Sequence, residues 1–128
     1  SIQDGTLSDF EGTVRVICEY AYSSHTAPEL VRDGEVQMLK VAPQTVYDDF
    51  AACNEFDVME RLAEIHCPTL VVCGTEDALT PPKYSRFLAE RIKGAHLEII
   101  QGAGHMVMTE EPVVVSEAIE SALGRWGS

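Results

Sequence analysis

Two side chains in this chain of 128 residues have the types and spacing for acid–base chemistry: Asp77 and His105. Each stands on a turn that follows a β-prone apolar run. Asp77 lies in the pattern Gly74-x-x-Asp77-x-x-x-Pro81, after the run 69–73. His105 lies in Gly102-Ala103-Gly104-His105, after the run 95–101. In open α/β sheets, ligand and catalytic groups gather at the carboxyl ends of strands. A carboxylate there can orient an imidazole and stabilise its protonated form, and the imidazole can act as a general base. Each residue also has an ordinary account. Asp suits turns, and a histidine after glycines can be a satisfied surface or core side chain. Occurring in the order Asp then His, at the ends of consecutive strands, they strengthen one another. Glu76 is the rival acid; being adjacent to Asp77, it points elsewhere. A nucleophile is missing from the set. No Gly-x-Ser-x-Gly turn exists, nor a Gly-flanked Asp or Cys in its place. The serines fall in loops and helix starts, and Cys73 reads as core at a strand end.

The elements that must hold these two turns can be read outward from them. The run 69–73 is continuously apolar and β-prone, as in a strand buried on both faces. Thr80 is an N-cap candidate, with Pro81 and Pro82 in the first turn of a helix carrying Tyr84, Phe87, Leu88 and Ile92. Gly94 stops that helix. In the run 95–101, His96, Glu98 and Ile100 alternate with Leu97 and Ile99, and a mid-strand charge marks an edge strand. Thr109 is read as the cap of the final helix, with Glu110 and Glu111 near its positive end and Val113, Val114, Ala118, Ile119 and Leu123 as its apolar contacts. Strand–helix–strand–helix predicts a parallel pair joined by a right-handed crossover. Two strands are too few for such a sheet. The first strand therefore needs another neighbour: an N-terminal half, a second copy or a partner chain.

Upstream of Pro68 the chain reads as helical, without a strand. Ser8 or Asp9 caps a helix bearing Phe10, Val14, Ile17, Cys18 and Ala21 on one side. Ser23-Ser24-His25-Thr26 breaks it. Pro28 opens a second helix with Leu30, Val31, Val36, Met38 and Leu39 as its apolar stripe, and Pro43 opens a third through Val46, Tyr47 and Phe50. Asp57 caps a short last helix through Val58, Leu62 and Ile65.

Composition narrows the function classes. The formal net charge is −12 and 45% of residues are hydrophobic. An acidic surface repels phosphate backbones and anionic lipid, so neither nucleic acid nor a membrane is an expected partner. No apolar run approaches the ~20 residues that span a bilayer, and the start lacks a signal-peptide pattern. Cys18, Cys53, Cys67 and Cys73 match no zinc template and read as buried free thiols; the expected location is cytoplasmic. His25, His66 and His96 lack partners at ligand spacing, so no metal is expected. Gly102 and Gly104 do not continue into a dinucleotide loop, and no cofactor is expected. Met106 and Met108 read either as a shield of His105 from water or, equally well, as flexible apolar packing.

The wider stretch resembles the α/β-hydrolase superfamily. Ile65-x-Cys67-Pro68-Thr69-Leu70-Val71-Val72-x-Gly74-x-x-Asp77-x-x-x-Pro81 is similar to that family's strand and acid loop. Gly104-His105-x-x-x-x-Glu110-x-Pro112 is similar to its histidine loop and final helix. The likeness covers residues 56–123. It implies an α/β class, namely a partial α/β-hydrolase fold: two parallel strands with flanking helices, preceded by a helical lid. Residues 1–65 would be the lid-like segment and 66–128 the C-terminal strand–helix–strand–helix of the core. By resemblance, Asp77 is the triad acid, His105 the triad base, and the lid supplies an apolar pocket. The family's nucleophile elbow and oxyanion loop precede these elements in chain order and are not found here. Ser1 and Gly127-Ser128 read as ends cut from a longer chain.

The resemblance thus implies the C-terminal part of an ester or amide hydrolase, inactive alone. It would take a small apolar ester-like substrate only when completed by an N-terminal half. The alternative is a non-catalytic module that dimerises through its open strand edge. A third reading, a cysteine-dependent activity at Cys53, Cys67 or Cys73, requires a thiolate near a base or a helix start.

Overall fold

The computed structural model describes residues 2–127; Ser1 and Ser128 lie outside the described residues. Four α-helices come first: α1 (Ile2–Ser8), α2 (Phe10–Ala21), α3 (Pro28–Met38) and α4 (Pro43–Glu55). A 3₁₀ turn, Met59–Glu64, leads to β1 (Leu70–Gly74), α5 (Pro82–Arg91), β2 (His96–Ile100), α6 (Val107–Glu110) and α7 (Pro112–Trp126). Among the described residues no helix is long and apolar enough to cross a membrane.

Helix α2 forms as its pattern predicts. Asp9 Oδ1 accepts the Gly12 N–H at 3.0 Å, satisfying one of the unpaired donors of the first turn. Val14, Ile17, Cys18 and Ala21 fall on one buried face. Phe10, Leu30, Val31 and Met38 pack around Val14, Cys18, Ala21 and Tyr22 to make the first core cluster. Prolines open α3 and α4 in the positions where a missing N–H is harmless. The predicted stripe of α3 is only half right: Val36 and Leu39 are exposed. Helix α1 was not expected, since Gly5 and Ser8 are weak helix formers. Tertiary packing holds it. Thr6 is fully buried against α2 and α4, and its hydroxyl donates to the Gln3 carbonyl at 2.7 Å. Asp57 does accept the Met59 N–H, at 2.9 Å, but the turn it opens is 3₁₀ rather than α.

Strands β1 and β2 pair in parallel, with Leu70 opposite His96 and Gly74 opposite Ile100. The expected two parallel strands with flanking helices, preceded by helices, are what is observed. Helices α5 and α7 both pack on the pair. Val72 joins Ile100, Ala103, Val107 and Val115 in the second core cluster. Pleat alternation sends Val71 and Cys73 to the opposite side.

Two capping expectations fail. The residue before the first turn of α5 is Pro81, which offers no side-chain bond, so Thr80 is not the N-cap. Thr109 lies inside the short α6, and Glu111 precedes α7, which Pro112 opens. A proline there restarts the helix because its fixed φ suits the first helical position. The buried face of α7 also differs from expectation. Val115 and Ala122 are the buried residues, while Val113, Ile119 and Leu123 are 68%, 45% and 58% exposed. At 100° per residue, those three fall on one side of the helix.

Candidate active site

The two turns that carry Asp77 and His105 are fastened to each other at the ends of β1 and β2. The Thr75 N–H donates to the Ile100 carbonyl at 3.0 Å and the Glu76 N–H to that of Ala103 at 2.9 Å. The Gly102 N–H returns a bond to Thr75 Oγ1 at 2.8 Å. The two backbones run so close that a Cβ on Gly74 would collide with the Ala103 carbonyl. On its other side the histidine turn meets the end of α2. A Cβ on Gly104 would lie 2.6 Å from the Ser23 nitrogen, and the Met106 N–H donates to the Ala21 carbonyl at 2.9 Å.

This packing brings Asp77 and His105 together. His105 Nδ1 lies 3.0 Å from Asp77 Oδ2. The Asp77 side chain is 6% exposed and that of His105 39%, so the carboxylate is shielded and the imidazole reaches open space. An ionised carboxylate can only accept hydrogen bonds, so its contact favours the imidazole tautomer with the proton on Nδ1, in which Nε2 has the lone pair. His105 lines a cavity of about 690 Å³. Its walls combine α2, α3 and α4, through Ile17, Leu30 and Val46, with Leu79 and Met106 from the two loops. Met106 packs on the first core cluster and lines the same cavity as His105, whereas Met108 is exposed.

Thr80 belongs to this site, and its role was missed when it was read as a cap. Its N–H donates to Asp77 Oδ1 at 2.8 Å and its hydroxyl to Oδ2 at 3.0 Å. The same hydroxyl lies 3.1 Å from His105 Nδ1. A carboxylate held by donors on both oxygens cannot swing away from the imidazole. Thr80→Val keeps the shape and removes one donor to a charged, shielded group. It is expected to lower folding stability by about 1.5 kcal/mol, with Thr80→Ser recovering most of the loss. Equal denaturation midpoints for the wild type and the valine variant would show that the hydroxyl carries nothing.

Glu110 was read as favourable to a helix start, but it does more. Its Oε1 accepts the Ser23 N–H at 2.8 Å and the Thr26 hydroxyl, and its Oε2 accepts the Gly104 N–H at 2.9 Å. One carboxylate therefore ties the loop after α2 to the residue preceding His105. Its long-range partners are 87 and 84 residues away, so no local pattern could have exposed them. Glu76 points away from His105, as its adjacency to Asp77 required. It accepts from Ser24 N and Oγ, and its Oε1 lies 3.2 Å from His25 Nε2. His25 thus has a carboxylate partner that sequence spacing did not show.

The cysteine reading needs correction. All four thiols are free, but only Cys18 and Cys73 are buried; Cys53 and Cys67 are exposed. Cys73 Sγ lies against the Gly74 carbonyl at 3.2 Å, as befits core. Burial, with the Glu35 carboxylate adding to it, pushes the Cys18 thiol up, away from thiolate chemistry. Among the described residues no group of three His, Cys, Asp or Glu side chains is arranged to hold a metal ion.

A family model described as the alpha/beta hydrolase family matches residues 6–118. The pimeloyl-[acyl-carrier protein] methyl ester esterase of Neisseria meningitidis is 33% identical over 78 residues, which are 61% of this chain and 28% of that protein. The proline iminopeptidase PfmaB of Pestalotiopsis fici is 40% identical over 68 residues, 53% of this chain and 24% of that protein. A solved thermophilic esterase superposes with a TM-score of 0.86 at 33% identity, over 97% of this chain and 50% of its own. The chain spans about a quarter of the length of these two relatives and half that of the solved esterase.

Proposed function

We propose, for a chain that belongs to the alpha/beta hydrolase family, that it supplies the acid and the base of an ester or amide hydrolase. The observation that carries this reading is the 3.0 Å contact of His105 Nδ1 with the shielded Asp77, at the wall of an apolar cavity. In the proposed reaction, Nε2 of His105 takes the proton of an attacking hydroxyl. It then gives that proton to the leaving alcohol or amine. Asp77 holds the ring and stabilises the imidazolium between those steps. The two relatives are, by name, a methyl ester esterase and a proline iminopeptidase. Acid–base chemistry at an acyl carbon serves both leaving groups.

The nucleophile and the oxyanion donors come, in this proposal, from polypeptide outside these residues. That polypeptide adds strands to the free edge of β1. Residues 1–65 act as the lid over the cavity and 66–128 as the end of the core, and the substrate is small, apolar and ester-like. A cytoplasmic setting fits the two exposed free thiols, Cys53 and Cys67.

The test is a comparison of the chain alone with a chimera that joins it to the upstream half of the solved esterase. Assayed on a short-chain p-nitrophenyl ester, the chimera is expected to turn over and the chain alone to show none. Turnover by the isolated chain that disappears in His105→Ala would sink the claim that the nucleophile lies elsewhere.

One observation favours a second reading, a non-catalytic module that dimerises. The side of α7 bearing Val113, Ile119 and Leu123 is uncovered. Light scattering separates the two readings. A stable dimer together with an inactive chimera supports the module, and an active chimera removes it.

A further inference from the structure

The cavity beside His105 has a charge character that the hydrolase reading does not use. Two carboxylates, Asp33 of α3 and Asp49 of α4, line it, and among its described lining residues there is no lysine or arginine. The remainder of the lining is largely apolar, including Ile17, Leu30, Met38 and Phe50. Lys40 reaches the margin, where its ammonium donates to Gln37 Oε1 at 3.0 Å, but it is exposed and stands outside the lining. The Tyr22 phenol, which also lines the cavity, is pushed up by burial, then by Cys18, Glu110 and Asp33. Glu35 likewise adds to the effect of burial on the Cys18 thiol, so carboxylates act on two side chains of the α2 wall. The net charge of −12 adds a negative field around the molecule.

An apolar cavity rimmed by carboxylates discriminates between ligands of one shape. A carboxylate on the ligand is repelled and gives up its hydration without gaining a partner. An ammonium on the same frame gains a counter-charge, and a methyl group is indifferent to either. Asp33 and Asp49 are exposed, so salt weakens the effect without removing it.

We infer that the cavity sorts acyl substrates by charge, taking amine-bearing and uncharged esters or amides and rejecting those that carry a carboxylate. This rests on the hydrolase reading of the site, and it names the substrate class of that site.

The experiment is a binding titration of the full chain, followed by NMR or calorimetry, at about 10 mM ionic strength. The three probes share an ethyl ester and five methylenes: ethyl 6-aminohexanoate, ethyl heptanoate and monoethyl heptanedioate. The amine is expected to bind roughly tenfold more tightly than the neutral ester, and the neutral ester roughly tenfold more tightly than the carboxylate. In the Asp33→Asn/Asp49→Asn double variant the three should fall within about threefold of each other. Salt at about 0.5 M should compress the wild-type ranking in the same direction, a check that needs no variant to fold. A carboxylate probe that binds as tightly as the neutral ester overturns the inference. So does a ranking untouched by the double substitution, or an absence of binding by all three probes. Because binding is read without turnover, an inactive chimera with an intact ranking sinks the hydrolase reading alone. An active chimera with a flat ranking sinks the charge selection alone.

Discussion

In the active chimera, His105→Ala is expected to lower kcat by about 10,000-fold or more, with KM little changed. Removing the base leaves the attacking hydroxyl with its proton and the leaving group without a donor. Only positioning and oxyanion stabilisation then remain. Asp77→Asn should cost about as much for a different reason. The carboxylate accepts three contacts, from Thr80 N, Thr80 Oγ1 and His105 Nδ1, at 2.8, 3.0 and 3.0 Å. An amide offers one oxygen and one NH₂ in that place. If the NH₂ faces the ring, Nδ1 must become the acceptor, and the proton moves to Nε2, where it blocks base catalysis. The double variant should be little worse than either single, because the pair works as a unit. A loss below tenfold in His105→Ala, with the fold intact by circular dichroism, would refute the assignment of the base.

Gly74→Ala is expected to be the most damaging of the small substitutions, lowering folding stability by about 3 kcal/mol or more. The added methyl would meet backbone, the carbonyls of Ala103 and Gly104, and not a side chain that can turn aside. To relieve the clash, β1 and the histidine turn must separate. That stretches the Glu76 N–H bond to Ala103 and carries Asp77 away from His105. Gly124→Ala is the control of opposite sign. Nothing lies within 4 Å of a Cβ there, in the body of α7, so alanine should add roughly 0.5–1 kcal/mol through helix propensity. Denaturant midpoints of both variants measure this. A Gly74→Ala midpoint equal to wild type would mean that the strand-end contact is softer than its geometry.

What could be read from the sequence is what local pattern determines. The apolar run before Gly74 and the alternating run before Gly102 set the two strands within one residue of where they lie. The prolines mark where helices begin. Asp77 and His105 were found because each sits on a turn at a strand end. What escaped is what distance in sequence hides. The Thr80 hydroxyl looked like a cap because capping is the local option. Its real partners are Asp77, three residues back, and His105, 25 residues on. Glu110 looked like a helix-dipole residue while its acceptors were engaged with Ser23, Thr26 and Gly104. The pairing of His25 with Glu76 was invisible for the same reason. Helix α1 shows the converse, a weakly helical segment ordered by the neighbours that bury Thr6. In α7 the expected contacts Val113, Ile119 and Leu123 lie exposed, while Val115 and Ala122 are the buried residues.

The bare side of α7 has a colloidal consequence. Val113, Ile119 and Leu123 face solvent on a molecule whose charge of −12 opposes the approach of like copies at pH 7. That repulsion comes from ionised carboxylates and fades as pH falls toward the isoelectric point of about 4.5. Near that pH nothing opposes the sticking of one apolar strip to another. Turbidity should therefore rise sharply around the isoelectric point and clear again on return to pH 7. Ile119→Glu and Leu123→Lys should each blunt the rise without touching the acid–base pair. Purification steps at acidic pH are expected to enrich aggregates.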